Sequence, residues 1–141
     1  MMSLNLTKEE REAFLAQVHI GVISFNEPNR GPLSAPIWYD YKPGGDPWVL
    51  IGADSRKARL IKAGDRFSLV AQQEQLPYKY VSVEGIAEVR SAKEGEIHSM
   101  AVRYLGEEQG QAYASQSGGE NLIVSMKIER WLTLDYGKIG S

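Results

Sequence analysis

The residues with the clearest chemical potential form one short segment from Gly52 to Arg59, with the sequence Gly-Ala-Asp-Ser-Arg-Lys-Ala-Arg. The segment follows a predicted strand and begins a predicted helix, where free backbone N–H groups and the positive end of the helix dipole favour an anion. Ser55 adds a hydroxyl there, and Arg56 and Lys57 add cations. Hydrogen bonds to charged groups contribute about 1.5–3 kcal/mol each, so a few of them suffice to hold a phosphate. An ordinary solvated helix face has the same composition, and the residues alone leave both interpretations open.

Other reaction classes lack their usual residues. His19 and His98 have no further histidine or carboxylate beside them at metal-binding spacing, so we expect no metal site. We expect His19 at the end of the first helix, protonated beside the negative pole, and His98 on a solvated helix face. The sequence contains no cysteine, no Gly-x-Ser-x-Gly elbow, no Walker loop and no Gly-x-Gly-x-x-Gly fingerprint. These absences argue against thiol and serine nucleophiles, nucleoside triphosphates and Rossmann-bound dinucleotides.

Length and charge limit the classes of protein further. The chain has 141 residues, 43% of them hydrophobic, and we predict a single domain over residues 1–141 because two cores would each bury too little surface. The net charge of -2 predicts no general attraction to nucleic acid or to an anionic membrane. The charged run from Lys8 to Glu12 disfavours a signal peptide or a membrane span. Together with the lack of cysteine, these features favour a cytoplasmic protein.

Caps and helical periodicity mark the helices. Thr7 with Glu10 and Ser91 with Glu94 have the spacing of capping boxes, and Ser55 is suited to cap a short helix. Helices are predicted at residues 7–18, 55–64, 91–105 and 107–116.

Short alternating segments mark the strands. Strands are predicted at residues 20–25, 33–41, 48–52, 66–72, 80–89 and 121–128, with strand character continuing over residues 131–136. Regular βαβ alternation is missing, so a small antiparallel barrel with helices outside it fits better than a parallel sheet. Tyr80 and Ser82 point away from the apolar face of their strand, as a dimer surface or a ligand surface requires.

Five segments carry a family resemblance when they are taken in their order along the chain. They are Leu33–Tyr41, Ser55–Arg59, Pro77–Gly85, Arg103–Gly106 and Glu129–Trp131. Together they resemble the pyridoxamine phosphate oxidase-like split β-barrel proteins, and especially the compact flavin- or deazaflavin-dependent oxidoreductases whose deazaflavin is coenzyme F420. The resemblance spans nearly the whole chain. It implies a mainly β fold with peripheral helices, a six-stranded antiparallel split β-barrel that forms a homodimer.

The resemblance also implies a cofactor site. Ser55, Arg56 and Lys57 would bind the cofactor phosphate, and Arg59 would be available for a longer anionic tail. The other implied residues are Ala35, Pro36 and Ile37 beside the ring, Leu50, Ile51 and Gly52 along the ribityl chain and phosphate, Tyr78, Lys79 and Tyr80 reaching in from a neighbouring subunit or closing the pocket, and Trp131 near the ring or across the dimer interface.

Physical arguments bear on some of these assignments. Pro36 has no N–H to give to a strand ladder and marks an edge or irregular strand, where a ligand can approach backbone groups. Simple edge protection is the alternative for Pro36. Decoration of a sheet edge is the alternative for Tyr78 and Tyr80, and a core position is the alternative for Trp131.

The resemblance implies redox chemistry that needs few catalytic side chains. A flavin or deazaflavin carries the hydride itself, so the protein has to hold the ring, exclude water and admit a flat substrate. We predict an oxidoreductase that binds coenzyme F420, or alternatively FMN, and transfers a hydride to or from a small unsaturated substrate. Tyr39 and Tyr80 are candidate proton donors, and no residue is assigned as catalytic. The competing class is a non-catalytic protein that binds or stores a flavin, a deazaflavin or haem.

Overall fold

The computed structural model describes residues 3–139, which form one antiparallel sheet with helices around it. The strands are β1 Gly21–Phe25, β2 Leu33–Ile37, β3 Tyr39–Asp40, β4 Trp48–Gly52, β5 Arg66–Gln73, β6 Lys79–Ser91 and β7 Asn121–Asp135. The helices are α1 Lys8–Ala16, α2 Arg56–Leu60, α3 Glu96–Leu105 and α4 Glu107–Gln116, followed near the end by a 3-10 turn at Tyr136–Lys138. The predicted mainly β fold with peripheral helices is confirmed. The predicted strand number is wrong, because the sheet formed by residues 3–139 has seven strands and not six.

The additional strand comes from a break at Trp38. The sequence predicts one strand over residues 33–41, but β2 pairs with β1 and β3 pairs with β4. The strand order is β2-β1-β5-β6-β7-β4-β3, so the two strands joined by Trp38 are the two edges of the sheet. A single residue therefore brings the edges together and curls the sheet, yet within residues 3–139 the barrel is not closed by pairing between them.

A bulge in β7 changes which of its residues face the core. Glu84 pairs with Arg130 whereas Gly85 pairs with Ile128, so Glu129 is one extra residue in β7. Before the bulge Val124 and Met126 are buried, and after it Thr133 is buried, so the alternation changes phase. This phase change is why the sequence suggests two short stretches where the structure has one strand of 15 residues.

Close backbone packing explains the glycine at this bulge. A Cβ at Gly85 would overlap the carbonyl group of Lys127 on β7. Its neighbours Val81, Val83 and Ala87 are fully buried, as the alternation of β6 predicts.

The helix ends agree with the sequence in part. The capping box of Thr7 and Glu10 is confirmed, although α1 ends at Ala16. The predicted capping box of Ser91 and Glu94 is wrong, because Ser91 still belongs to β6 and α3 begins after Gly95 without a side-chain cap. The helix capped by Ser55 also stops early. Its C-cap, Ile61, has extended backbone and is 4% exposed, so it leaves the helix for the core.

Candidate cofactor site

The two sheet edges leave a cleft between β2 and β4. The register of β3 on β4, Tyr39 opposite Val49, would bring Ile37 opposite Ile51 if the pairing continued. Instead Ile37 pairs with Gly21 on β1, and Leu50–Gly52 pair only with β7 among the described residues. Within residues 3–139, β2 and the Leu50–Gly52 part of β4 therefore face the cleft with edges that lack a strand partner, where backbone N–H and C=O groups are available to a ligand.

A cavity of about 320 Å³ lies at this cleft. Its lining residues carry no charge and are Ile20, Pro36, Ile37, Trp38, Leu50 and Tyr113. The structure thus brings together Pro36, Ile37 and Leu50, which come from separate predicted segments. The volume is at the lower end of the range of small-molecule sites, about 300–1,000 Å³, and an apolar lining suits a flat uncharged ring.

An aromatic stack holds one wall of the cavity in place. The rings of Trp38 and Tyr104 lie 4.9 Å apart and within 7° of parallel, and Tyr113 on α4 packs on Trp38 at 5.4 Å. The hydroxyl of Tyr104 donates to the carbonyl oxygen of His19 at 2.6 Å and accepts from the backbone N–H of Tyr39 at 3.0 Å. Because these bonds fix Tyr104, they also fix the Trp38 ring that stacks on it.

Arg103 on α3 completes the edge of the sheet beside the cleft. Its guanidinium donates to the carbonyl oxygens of Tyr39 at 2.9 Å and Gln17 at 2.9 Å, and it lies 3.3 Å from the carboxylate of Asp40. Together with Tyr104, it satisfies backbone groups of β3 that a further strand would otherwise bind. The Arg103–Tyr104 pair therefore fixes the chain directly after Trp38.

The environment of Tyr39 removes it as a proton donor. Its side chain is fully buried, and its hydroxyl donates to the carbonyl oxygen of Leu15 at 2.7 Å. Burial raises the pKa of Tyr39 far above its usual value. The proton is therefore held inside the core.

The cationic segment follows the cleft strand β4 directly. Ser55 caps α2 as predicted, since its hydroxyl accepts from the N–H of Ala58 at 3.2 Å, and it also donates to the carbonyl oxygen of Gly52 at 2.7 Å. Arg59 turns back and donates to the carbonyl oxygen of Asp54 at 2.9 Å.

Of the two remaining cations of this segment, one is paired. Arg56 forms an ion pair with Glu27 from the β1–β2 loop. The side chain of Lys57 makes no hydrogen bond or ion pair within residues 3–139. Lys57 is therefore the cation of α2 that is free to receive an anion without first giving up a partner.

Other predicted site residues lie in the core or far along the sheet. Ile51 is buried in the core, and Ala35 packs against the core. Trp131 follows Ile123, the partner of Leu50, by eight residues on β7, which is about 26 Å along a strand. The ring of Trp131 packs under the guanidinium of Arg11 at 4.5 Å. Trp131 is partly buried and packs against the core, and its expected place near the ring or across the dimer interface stays a prediction.

The Tyr78–Tyr80 segment lies at the same distant end of the sheet. Lys79 pairs with Asp135 on β7, and its ammonium group is 3.9 Å from that carboxylate. Tyr78 is half exposed, and Tyr80 lies on the outward face of β6. None of the three lines the cavity of their own chain.

Four residues at the site are not among those that the sequence predicts for it: Ile20, Trp38, Tyr113 and Glu27. Trp38 continued an apparently regular strand, and only the nearby Pro36 hinted at an irregular edge. Tyr113 lies on a largely exposed helix, and Glu27 lies in a cluster of turn residues. No local pattern distinguishes such residues, because folding alone brings them to the cleft.

Residues 3–139 offer neither a cluster of metal ligands nor a helix suited to cross a membrane. They contain no group of three or more His, Cys, Asp or Glu side chains arranged to hold a metal ion. No helix among them combines the length and the apolar character needed to cross a membrane.

Solved structures with the same fold were found over most of the chain. A conserved hypothetical protein from Mycobacterium tuberculosis is 21% identical with a TM-score of 0.77, covering 98% of this chain and 90% of its own. An F420 reductase is 17% identical with a TM-score of 0.67, covering 86% of this chain and 94% of its own. A putative pyridoxamine 5'-phosphate oxidase from Listeria innocua is 11% identical with a TM-score of 0.66, covering 90% of this chain and 97% of its own.

This chain has the pyridoxamine 5'-phosphate oxidase-like fold. No protein-family model matches the sequence, and no curated protein matches it. The likeness therefore rests on structure, which agrees with the fold that the five sequence segments implied.

Within this pyridoxamine 5'-phosphate oxidase-like fold, Gly110 sets the distance between α3 and α4. A Cβ at this position would lie 2.7 Å from the backbone Cα and N of Val102. We expect Gly110→Ala to lower the free energy of unfolding by about 1–3 kcal/mol and to change the fluorescence of Trp38, because α4 carries Tyr113 onto that ring. Urea denaturation with tryptophan emission measures both effects. Gly118→Ala is the control, since nothing lies within 4 Å of its added Cβ, and an equal loss there would refute the packing argument.

His19 directly precedes Ile20, which lines the cavity. The prediction that the His19 ring is protonated is wrong. His19 follows the end of α1, and its ring stacks on Phe14 at 4.4 Å. Burial lowers the pKa of His19 below 6.5; a hydrogen bond to Phe14 opposes this, and the charge of Arg103 adds to it. The folded protein therefore binds fewer protons at this position than the unfolded chain, so stability is full above pH 6.5 and falls as the pH drops.

A pH series tests this effect. We expect the free energy of unfolding of the wild type to decline more steeply between pH 7.5 and about pH 5.5 than that of His19→Phe, which keeps an aromatic ring but cannot titrate. Glu10 and Glu96 have pKa values lowered from 4.5 to about 2, so their titration lies below this window. Parallel profiles for the two proteins would contradict the prediction.

Proposed function

We propose that this protein is an oxidoreductase that binds coenzyme F420, with FMN as the alternative, and transfers a hydride to or from a small unsaturated substrate. The observation that carries the proposal is the apolar cleft between β2 and β4, together with the cationic start of α2, which follows β4 directly in the chain. When bound, the deazaflavin or flavin ring supplies the hydride chemistry, and the protein supplies position and environment.

The cleft suits the ring part of such a cofactor. Pro36, Ile37 and Leu50 offer apolar contacts, and the adjacent strand edges offer backbone hydrogen-bonding groups. Trp38 is fixed by its stacking on Tyr104, so the cavity wall is ordered before a ligand arrives. The half-exposed Ile20 and Tyr113 border the cavity. This open side leaves room for a flat substrate beside the ring, which favours turnover over storage.

The segment after β4 suits the anionic tail. Gly52 leads from the cleft into the loop before α2, and Ser55, Arg56 and Lys57 follow it within five residues. Lys57 is unpaired among the described residues, and the exposed Arg56 and Arg59 lie on the same short helix. A phosphate bound here would receive charge-assisted hydrogen bonds while the ring stays in the apolar cleft.

A homodimer is part of the proposal. One row of outward-facing residues crosses five strands, and the register gives it as Pro36, Val22, Val70, Ser82 and Leu132. Leu132 is 59% exposed, and Pro36 at the other end of the row lines the cavity. A second copy seated on this face would border the cleft, which agrees with the expected role of Tyr78–Tyr80 from a neighbouring subunit.

The dimer prediction has a direct test. Light scattering should give about twice the chain mass of 15.7 kDa, and Leu132→Asp should shift the protein towards the monomer and weaken cofactor binding, because a charge would be buried at the interface. Ile139→Asp is the matched control, because Ile139 is 63% exposed and lies outside the row. A monomeric wild type would refute the shared site.

Parallel titration with coenzyme F420 and FMN tests the proposed function. Binding of one cofactor alone assigns it, and absorbance changes with unsaturated substrates then measure hydride transfer. Binding without turnover would favour the storage class, with haem titrated as a further ligand. Failure of both redox cofactors to bind would overturn the proposal.

A further inference from the structure

An ion pair closes the end of the cleft that lies opposite Trp38. The carboxylate of Glu27, in the loop between β1 and β2, contacts the guanidinium of Arg56 on α2 through one oxygen, Oε1. The same oxygen lies 3.9 Å from the guanidinium of Arg30. At one end of the cleft, β2 and β3 are covalently connected through Trp38. At the other end, the ion pair between Glu27 and Arg56 connects the β1–β2 loop to α2.

The surroundings of Glu27 distinguish it from an ordinary surface acid. Its side chain is 14% exposed, whereas those of Arg56 and Arg30 are 48% and 66% exposed. The hydrogen bond from Arg56 lowers the pKa of Glu27, so the carboxylate is ionised at neutral pH. The sheltered group is thus an anion held against the cation that the proposed function assigns to the cofactor phosphate.

We propose that Glu27 occupies the anion position on Arg56 when no ligand is bound, and that a cofactor phosphate must displace it. This inference rests on the proposed function and identifies a residue that sets affinity for the tail of the cofactor. Carboxylate and phosphate both present oxygens that match a guanidinium, so they compete for the same donors. The phosphate carries more charge than a carboxylate, and the proposed function assigns it a second cation, Lys57, whose side chain has no partner among the described residues.

Displacement of this kind affects phosphorylated ligands selectively. A ligand that lacks the phosphate does not compete for the guanidinium of Arg56 and leaves the Glu27–Arg56 pair intact. Its affinity is therefore independent of Glu27. A phosphorylated ligand loses the free energy of that pair on binding. Because the Arg56 side of the pair is about half exposed to solvent, this corresponds to a factor of up to about five in the dissociation constant.

Glu27→Gln tests the inference with FMN and riboflavin as a matched ligand pair. We expect the dissociation constant of FMN to fall about three- to fivefold in the variant, and that of riboflavin to stay unchanged. Glu129→Gln is the charge-matched control, since it removes one acid from an exposed pair with Arg66 elsewhere on the sheet. In an Arg56→Ala background the gain from Glu27→Gln should disappear, because the competition acts through Arg56.

The same measurements separate the possible failures. If FMN affinity is unchanged or weaker in Glu27→Gln, the inference is wrong, and a weaker affinity would mean that Glu27 orients Arg56 for the ligand. If Glu129→Gln gives an equal gain, only the overall charge acts and the inference is again wrong. The variants are also titrated with coenzyme F420, and absence of binding by both cofactors in every variant overturns the proposed function together with the inference. Thermal unfolding by circular dichroism confirms that each variant is folded, and Glu27→Ala repeats the test without the amide.

Discussion

Replacing Arg56 and Lys57 together by alanine should weaken cofactor binding by more than about 100-fold while the fold stays intact. Each side chain is assigned a charge-assisted hydrogen bond to the phosphate, and the loss of two such bonds at about 1.5–3 kcal/mol each gives this factor. Arg56 is about half exposed, Lys57 is partly exposed, and neither belongs to the core. Their removal should therefore leave the free energy of unfolding almost unchanged. Fluorescence titration with coenzyme F420 and FMN measures the affinity.

The control for this prediction removes two cations elsewhere. Lys42 and Lys127 are also exposed and lie at the end of β4 opposite to α2, so Lys42→Ala with Lys127→Ala makes the same change in net charge away from the cationic segment. We expect a change of no more than about twofold in affinity from this control, since distant exposed charges are screened by salt. Unchanged affinity in the Arg56 and Lys57 double variant would remove the phosphate assignment.

The second large effect concerns stability. Arg103→Ala should lower the free energy of unfolding by about 3–5 kcal/mol, because it leaves the Asp40 carboxylate and several backbone carbonyl groups without their partner. The side chains of Arg103 and Asp40 are only 15% and 12% exposed, so water replaces the lost contacts poorly. Arg103→Lys should also lower the free energy of unfolding, but by less than Arg103→Ala. An ammonium group keeps the charge but cannot hydrogen-bond to the carbonyl oxygens of Tyr39, Ala16 and Gln17 together, as the forked guanidinium does. Urea denaturation of the wild type, Arg103→Ala and Arg103→Lys measures these free energies of unfolding.

An exposed arginine pair provides the comparison for Arg103. Arg90 binds both carboxylate oxygens of Glu96, at 2.9 and 2.6 Å, and its side chain is 48% exposed. Arg90→Ala should cost less than about 1 kcal/mol. Equal losses at Arg103 and Arg90 would show that burial does not decide the effect.

Local sequence signals predicted the elements whose stability is local. The capping box at Thr7, the cap at Ser55 and the alternation of Val81, Val83 and Ala87 are all found in the structure. These signals succeed because caps and alternating burial involve residues close together in the chain. The capping box predicted at Ser91 fails because pairing with β7 extends β6 through that residue.

The proposed site could be predicted only in part. Pro36, Ile37 and Leu50 were assigned from a family resemblance, and the structure brings them to one cavity. Tyr78–Tyr80 and Trp131 were assigned in the same way and lie at the far end of the sheet. A sequence pattern does not specify whether a residue contributes to the site of its own chain or to that of a second copy. The proposed role of Tyr78–Tyr80 therefore depends on the proposed dimer.

The sequence by itself determined the antiparallel β class, the positions of most strands and the cationic segment from Ser55 to Arg59, because strand periodicity, turn residues and charge are local properties. Only the tertiary structure decided that the chain breaks at Trp38, that the two edges of the sheet leave an apolar cleft, and that Glu27 pairs with Arg56 at its end. Those features depend on contacts between residues that are distant in the chain, chiefly Trp38 with Tyr104 and Tyr113. Such contacts follow from how the whole sheet packs and not from any short segment.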